Sequence, residues 1–160
     1  MAKKNIFIVS GAIQSGKTTS LINWAKSRSD VYGIFTPISE GKRVFRIADS
    51  AEVFPMEAGT EEKTPISVGK YKFSLSSFAK AVQVLNEHKD RESGWLVIDE
   101  IGPLELQGKG FDEIFREILN DEKSTLKLII VVREKVVQDV LKRYQLQDHE
   151  IHFFDPKSSI

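Results

Sequence analysis

The sequence predicts an α/β fold for residues 1–160, a single domain with a mainly parallel β-sheet, helices on both faces and a β-hairpin inserted early. Three observations carry this. Short apolar runs alternate with stretches whose apolar residues recur every three or four positions. The first run, Ile6-Phe7-Ile8-Val9, opens into the glycine-bounded segment Gly11-Ala12-Ile13-Gln14-Ser15-Gly16-Lys17-Thr18 and then a helical pattern. The runs Trp95-Leu96-Val97-Ile98 and Leu128 to Val132 are apolar throughout, as strands covered on both faces are.

In chain order, Thr18 to Ser29 reads as a helix with Leu21, Ile22, Trp24 and Ala25 facing inward. Val31 to Thr36 reads as a strand stopped by Pro37, and the turn Ser39 to Lys42 leads to another strand at Val44 to Ile47, which together make the hairpin. Asp49 to Gly69, with Pro55, Pro65 and the acidic pair Glu61-Glu62, is expected to be an irregular, mobile loop. Leu75, Phe78, Val82 and Leu85 then set a helical period that runs to His88-Lys89-Asp90. After the Trp95 strand, Phe111, Ile114, Phe115, Ile118 and Leu119 line a helix. Val136, Val137, Val140 and Leu141 line another after the Leu128 strand. His149 to Phe154 alternates as an edge strand does.

Gly11 to Thr18 fits the spacing G-x-x-x-x-G-K-[ST], in which backbone N–H groups wrap a polyphosphate and the following helix points its positive end at the same charge. Gly11 would end the strand where a side chain is resisted, and Gly16 would let the backbone approach the phosphate. Lys17 would reach the β and γ phosphates and Thr18 would offer its hydroxyl to Mg2+, with Thr19 beside them. A glycine turn with a surface lysine is the plainer alternative, and the register of strand, motif and helix weighs against it. The expected ligand is a nucleoside triphosphate.

The Trp95 strand delivers Asp99 and Glu100 to the edge of the sheet. Neighbours on an extended chain point opposite ways, so the two carboxylates can take separate tasks: Asp99 the Mg2+, Glu100 the attacking water as general base. An acidic pair merely ending a strand in solvent is the alternative. Arg133 follows the Leu128 strand and could reach the γ-phosphate as a sensor or cis arginine finger, or could pair with Glu134 or Asp99 instead.

The residues Gly11 to Thr19, Gly33-Ile34-Phe35-Thr36, Val68-Gly69-Lys70-Tyr71 and Asp99-Glu100-Ile101-Gly102-Pro103-Leu104-Glu105-Leu106 fall in order along about two-thirds of the chain. In these the chain resembles the small nucleoside-triphosphatases first described from thermophiles, whose human relative is called cancer-related nucleoside-triphosphatase. The resemblance implies a P-loop NTPase fold with a catalytic glutamate beside the magnesium aspartate. It also implies hydrolysis of ATP, GTP and other triphosphates with little base preference, at a site lined by Gly11 to Thr18 and Leu96 to Pro103. The family usually has a glycine where this chain has Gln14, and commonly a leucine where it has Ser20.

Other candidates read more weakly. Lys70 is expected to be an exposed lysine more than a phosphate ligand, and Arg43 and Arg46 on the hairpin to be solvated charges. His149 and His152 lack a third ligand and read as strand residues, not a metal site. Glu105 could belong to the acidic motif's fixed geometry by hydrogen bonding, with a solvated face the expected reading.

With 23 basic and 23 acidic residues, no global charge calls for nucleic acid or an anionic membrane. The absence of cysteine excludes disulfides and thiolate chemistry and fits the cytoplasm. Met1 to Lys4 leads into a short apolar run and not a signal-peptide core, and no stretch reaches the roughly 18 apolar residues of a membrane helix. A small-molecule kinase would share the phosphate loop but normally needs an arginine-bearing lid, and the seven arginines here do not cluster. A nucleotide-gated protein-binding module with slow hydrolysis is the other rival; a protein partner is not readable from the residues.

Overall fold

The apolar runs come to lie side by side in the computed structural model, which describes residues 3–11, 16–59, 65–68 and 71–157. In chain order the elements are β1 (Asn5–Gly11), α1 (Lys17–Ala25), β2 (Val31–Phe35), β3 (Ile38–Ser39), β4 (Lys42–Ile47), β5 (Val53–Pro55), β6 (Ile66–Val68), β7 (Tyr71–Phe73), α2 (Leu75–His88), β8 (Trp95–Asp99), α3 (Pro103–Leu106), α4 (Asp112–Asn120), β9 (Lys127–Arg133), α5 (Val137–Arg143) and β10 (Glu150–Phe153). The main sheet has the order β10-β1-β9-β8-β2-β4-β3, with β5 also on β4. Its pairings from β10 to β2 are parallel, and those of β4 with β2, β3 and β5 are antiparallel. The predicted hairpin is therefore an antiparallel extension of a parallel sheet.

Because alternate strand residues point to opposite faces, each central strand feeds two cores. Ile6, Ile8, Leu96, Ile98, Leu128 and Ile130 pack with Phe78 and Leu85 of α2, Phe115 and Ile118 of α4 and Val140 of α5. Val9, Val97, Ile129 and Val131 pack with Leu21 and Trp24 of α1. Helices thus cover both faces. This is the fully apolar strand signature turned into geometry: each of these side chains leaves water on one side of the sheet or the other.

At one position between β2 and β8, glycine is required. Gly33 in β2 has φ 102°, and a Cβ there would collide with the Val97 carbonyl of β8. Its N–H donates to Nδ1 of the buried His88 at 2.8 Å, which ties β2 to α2.

Several expectations need correction. The first helix ends at Ala25, not Ser29, and Arg28 N–H turns back to the Ala25 carbonyl; Ser27, Ser29 and Asp30 are residues that compete with helix hydrogen bonding. In α2 the buried stripe is Phe78, Ala81, Val84, Leu85 and His88, while Leu75 is exposed at the first turn. Ser74 caps this helix, accepting from Ser77 N–H at 3.1 Å, which puts Leu75 outside the packed stripe. The expected irregular stretch contains β5, which pairs with β4 as an edge of the main sheet, and β6 pairs with β7. Strands of three residues are too short to carry a period, and Pro55 sits at the end of an edge strand where its missing N–H costs no ladder bond. Glu61-Glu62 and Gly69-Lys70 lie outside the described residues.

Candidate active site

Both functional strands are aligned by β9, which runs between them. Ser10 and Gly11 of β1 lie in register with Val132 and Arg133, and Asp99 of β8 with Val131. The end of the loop strand and the end of the acidic strand are thus two strand spacings apart, roughly 10 Å. Arg133 stands between them. Ile101 N–H donates to the Val131 carbonyl at 2.9 Å and fixes the exit from β8.

Gly16 precedes α1 in the left-handed region, at φ 82°, which a glycine adopts without penalty. That turn aims the first helical residues back over the end of β1. Lys17 Nζ donates to the Gly11 carbonyl at 3.2 Å, so the lysine reaches back to the end of β1. Thr18 Oγ1 donates to Asp99 Oδ2 at 2.7 Å, and the Thr36 N–H, just past β2, donates to the same oxygen at 3.0 Å. Ala12, Ile13, Gln14 and Ser15 lie outside the described residues.

Asp99 and Glu100 have separate partners. Asp99 is buried between Thr18 and Thr36; burial pushes its carboxyl above the usual carboxylate range and those two hydrogen bonds oppose the rise. Glu100 Oε1 instead meets Arg133 Nη2 at 3.2 Å. Burial raises the Glu100 carboxyl too, and the arginine partly offsets it. Desolvation holds Lys17 below the ordinary lysine value, against the pull of Glu100 and Asp99. Of the pairings expected for Arg133, neither Glu134 nor Asp99 is the one found. A guanidinium at a strand end reaches the carboxylate that points out of the neighbouring strand, and that is Glu100.

These residues line one cleft of about 460 Å3, with Thr19, Pro37 and Ile38 around it. Arg43 lines it as well, which corrects its reading as a solvated charge. It is half-buried, its Nη1 donates to the Thr36 carbonyl at 3.4 Å and its N–H to Glu57 Oε2 at 3.2 Å. Arg43 is in register with Ile38 across the hairpin, and the hairpin folds this part of the chain onto the cleft. Nothing in the local residue pattern marks that approach.

Glu105 is the other correction. It is 3% exposed, not solvated. One carboxylate oxygen accepts from Gly102 N–H at 2.8 Å and the other from Phe111 N–H at 2.9 Å. The first is half of a capping box at the start of α3; the second reaches across to the residue before α4. Burial lifts its carboxyl to about 7, against those two donors. The spacing Gly102-Pro103-Leu104-Glu105 carried this signal, since a glutamate three residues past a helix start reaches back to the cap.

Both tail histidines have partners of their own among the described residues. His149 Nδ1 accepts the Lys4 N–H at 3.0 Å, and His152 stacks on Phe7 with ring centroids 4.6 Å apart. At the cleft, by contrast, the Thr18 hydroxyl and the Asp99 carboxylate present two hard oxygen donors side by side. That is the donor chemistry Mg2+ takes when substrate phosphates supply further ligands, so these residues fit it. Among the described residues, no helix is long and apolar enough to cross a membrane.

The chain is similar along most of its length to known proteins. The profile of the protein family described as NTPase matches residues 6–157. The chain is 26% identical over 148 residues to nucleoside-triphosphatase THEP1 of Thermotoga sp. (strain RQ2), covering 91% of this chain and 85% of that one. The crystal structure of THEP1 from the hyperthermophile Aquifex aeolicus superposes with a TM-score of 0.70 at 21% identity, covering 95% of this chain and 91% of that chain. The solution structure of a human cancer-related nucleoside triphosphatase gives 0.65 at 23% identity, covering 95% and 89%. At such identities the two structures establish the shared fold, that of P-loop NTPases.

Proposed function

Because the chain belongs to the NTPase family, we propose that it is a Mg2+-dependent nucleoside-triphosphatase that splits the β–γ bond of ATP, GTP and other triphosphates, with little base preference. The observation that carries this reading is the division of labour in the cleft. One buried carboxylate is held by the helix-start threonine, and its neighbour is held by an arginine on the adjacent strand.

Lys17 and the loop amides around Gly11, Ala12, Ile13, Gln14, Ser15, Gly16 and Thr18 to Thr19 bind the phosphate chain. Thr18 and Asp99 would hold Mg2+, which would supply charge neutralisation at the phosphate oxygens. Glu100 accepts a hydrogen bond from the attacking water and takes its proton as the water oxygen bonds to the γ-phosphorus. The bond to the β–γ bridging oxygen breaks, and that oxygen leaves on the nucleoside diphosphate. Arg133 keeps the Glu100 carboxylate at the cleft wall. Arg43 turns its positive charge toward the cleft that the γ-phosphate would occupy. Preorganised charge of this kind supplies most of the acceleration in such reactions. The balanced charge and the lack of cysteine fit a cytoplasmic protein acting as a single domain on free nucleotides.

Release of orthophosphate from ATP, GTP, CTP and UTP with Mg2+ alone, no acceptor added, tests the reaction. Lys17→Ala should abolish tight triphosphate binding by calorimetry. Nucleoside diphosphate formed only when an acceptor is added, with the phosphoryl group recovered on that acceptor and no orthophosphate released, would replace this reading with a kinase.

A further inference from the structure

A second cleft adjoins the first across Lys17, which lines both. It measures about 450 Å3 and lies at the ends of β1 and β10, with Gly11, Ser20, Phe153, Phe154 and Pro156 in its wall. We propose that this cleft takes the ribose and base of the nucleotide, with the Phe153 ring as the platform on which the base stacks. The inference rests on the phosphate site proposed above and extends it to the rest of the ligand.

Sheet order gives the direction. From the edge it runs β10, β1, β9, β8. The acid pair ends β8, on one side of β1, and the second cleft lies on the other. A triphosphate whose γ end faces Asp99 and Glu100 and whose chain passes Lys17 leads away from β8, toward β10. The carboxyl ends of parallel strands are where an open α/β sheet leaves its crevices, and β10 is parallel to β1 with Phe153 in register with Ile8.

The two adjacent phenylalanines behave differently. Phe154 is half-buried and packs its ring against the α1 core, 5.4 Å from Trp24 and 5.9 Å from Phe7. Phe153 is 67% exposed while lining the cleft. A large aromatic ring displayed at the wall of a cleft of nucleoside size is suited to a flat partner. Every base has a π-face, so stacking on phenylalanine discriminates little among them, which matches the broad base use proposed above and needs no hydrogen-bonding readout.

Titration calorimetry of the Mg2+ complexes of ATP, CTP and inorganic tripolyphosphate into wild type and Phe153→Ala tests this. Stacking losses on alanine substitution predict that ATP and CTP weaken roughly 5- to 150-fold while tripolyphosphate binds as before. Phe153→Trp should restore nucleotide affinity. ATP bound equally by wild type and Phe153→Ala, with tripolyphosphate still bound by both, would overturn the nucleoside cleft and leave the phosphate site standing. Equal weakening of tripolyphosphate would also overturn it. Wild type that binds neither nucleotide nor tripolyphosphate would take down the phosphate site, and this inference with it.

Discussion

Arg133 Nη2 and Glu100 Oε1 meet at 3.2 Å, a contact between the ends of two hydrogen-bonded strands. If Glu100 orients water, Glu100→Gln should retain nucleotide binding and cut turnover by on the order of 10² or more, as for a positioned acid or base. Arg133→Ala removes what holds the carboxylate, so it should also lower turnover, by up to on the order of 10², with KM changed less. Because the two act as a unit, the double variant should lose far less than the product of the single effects. Steady-state kinetics of the four proteins check this, and simple multiplication of the losses would contradict it.

Thr18 and Asp99 share a 2.7 Å hydrogen bond, and the aspartate is proposed to hold the cation. Asp99→Asn keeps the shape and removes the charge. The Mg2+ concentration for half-maximal phosphate release should rise by at least on the order of tenfold. An unchanged Mg2+ requirement would reassign the metal.

Glu105 is buried with a carboxyl at about 7, against 4.5 for an ordinary glutamate. A raised acid favours the folded state in its protonated form. The contribution is complete below about pH 4.5 and is lost as pH rises through 7, a change of ~3 kcal/mol. Glu105→Gln does not titrate, and its NH2 cannot accept from the Gly102 or Phe111 N–H, which should cost about 1–3 kcal/mol near pH 5. The stability gap between the two proteins in urea should therefore narrow from pH 5 to pH 8. A gap that widens with pH would mean that the carboxylate form is the favoured one.

Gly33→Ala forces a side chain into the left-handed region and against the Val97 carbonyl. The strand must move, so stability should drop by about 1–3 kcal/mol. Since β2 leads to Thr36 and thus to Asp99, turnover should fall with it. Thermal unfolding and phosphate release, measured together, test the coupling.

The features legible in the residues were those with a local physical signature. Uniformly apolar β8 and β9 announced a sheet covered twice, and the spacing of Gly11, Gly16, Lys17 and Thr18 announced a helix start beside a strand end. What escaped needed distant chain segments. Arg43 reaches the cleft only because the hairpin folds back, and three-residue strands such as β6 and β7 are stabilised by partners and not by their own pattern. For Glu105 the local spacing to Gly102 pointed to one donor, and the second, the Phe111 N–H before α4, had no such mark.

The strand β9 sets the distance between cradle and acids through main-chain hydrogen bonds on both of its edges. That width belongs to the backbone, so exchanging any one reactive side chain leaves the gauge of the slot untouched. A version disabled at Glu100, with Lys17 and the loop left in place, should accordingly remain a faithful trap, able to capture and hold intact nucleotides.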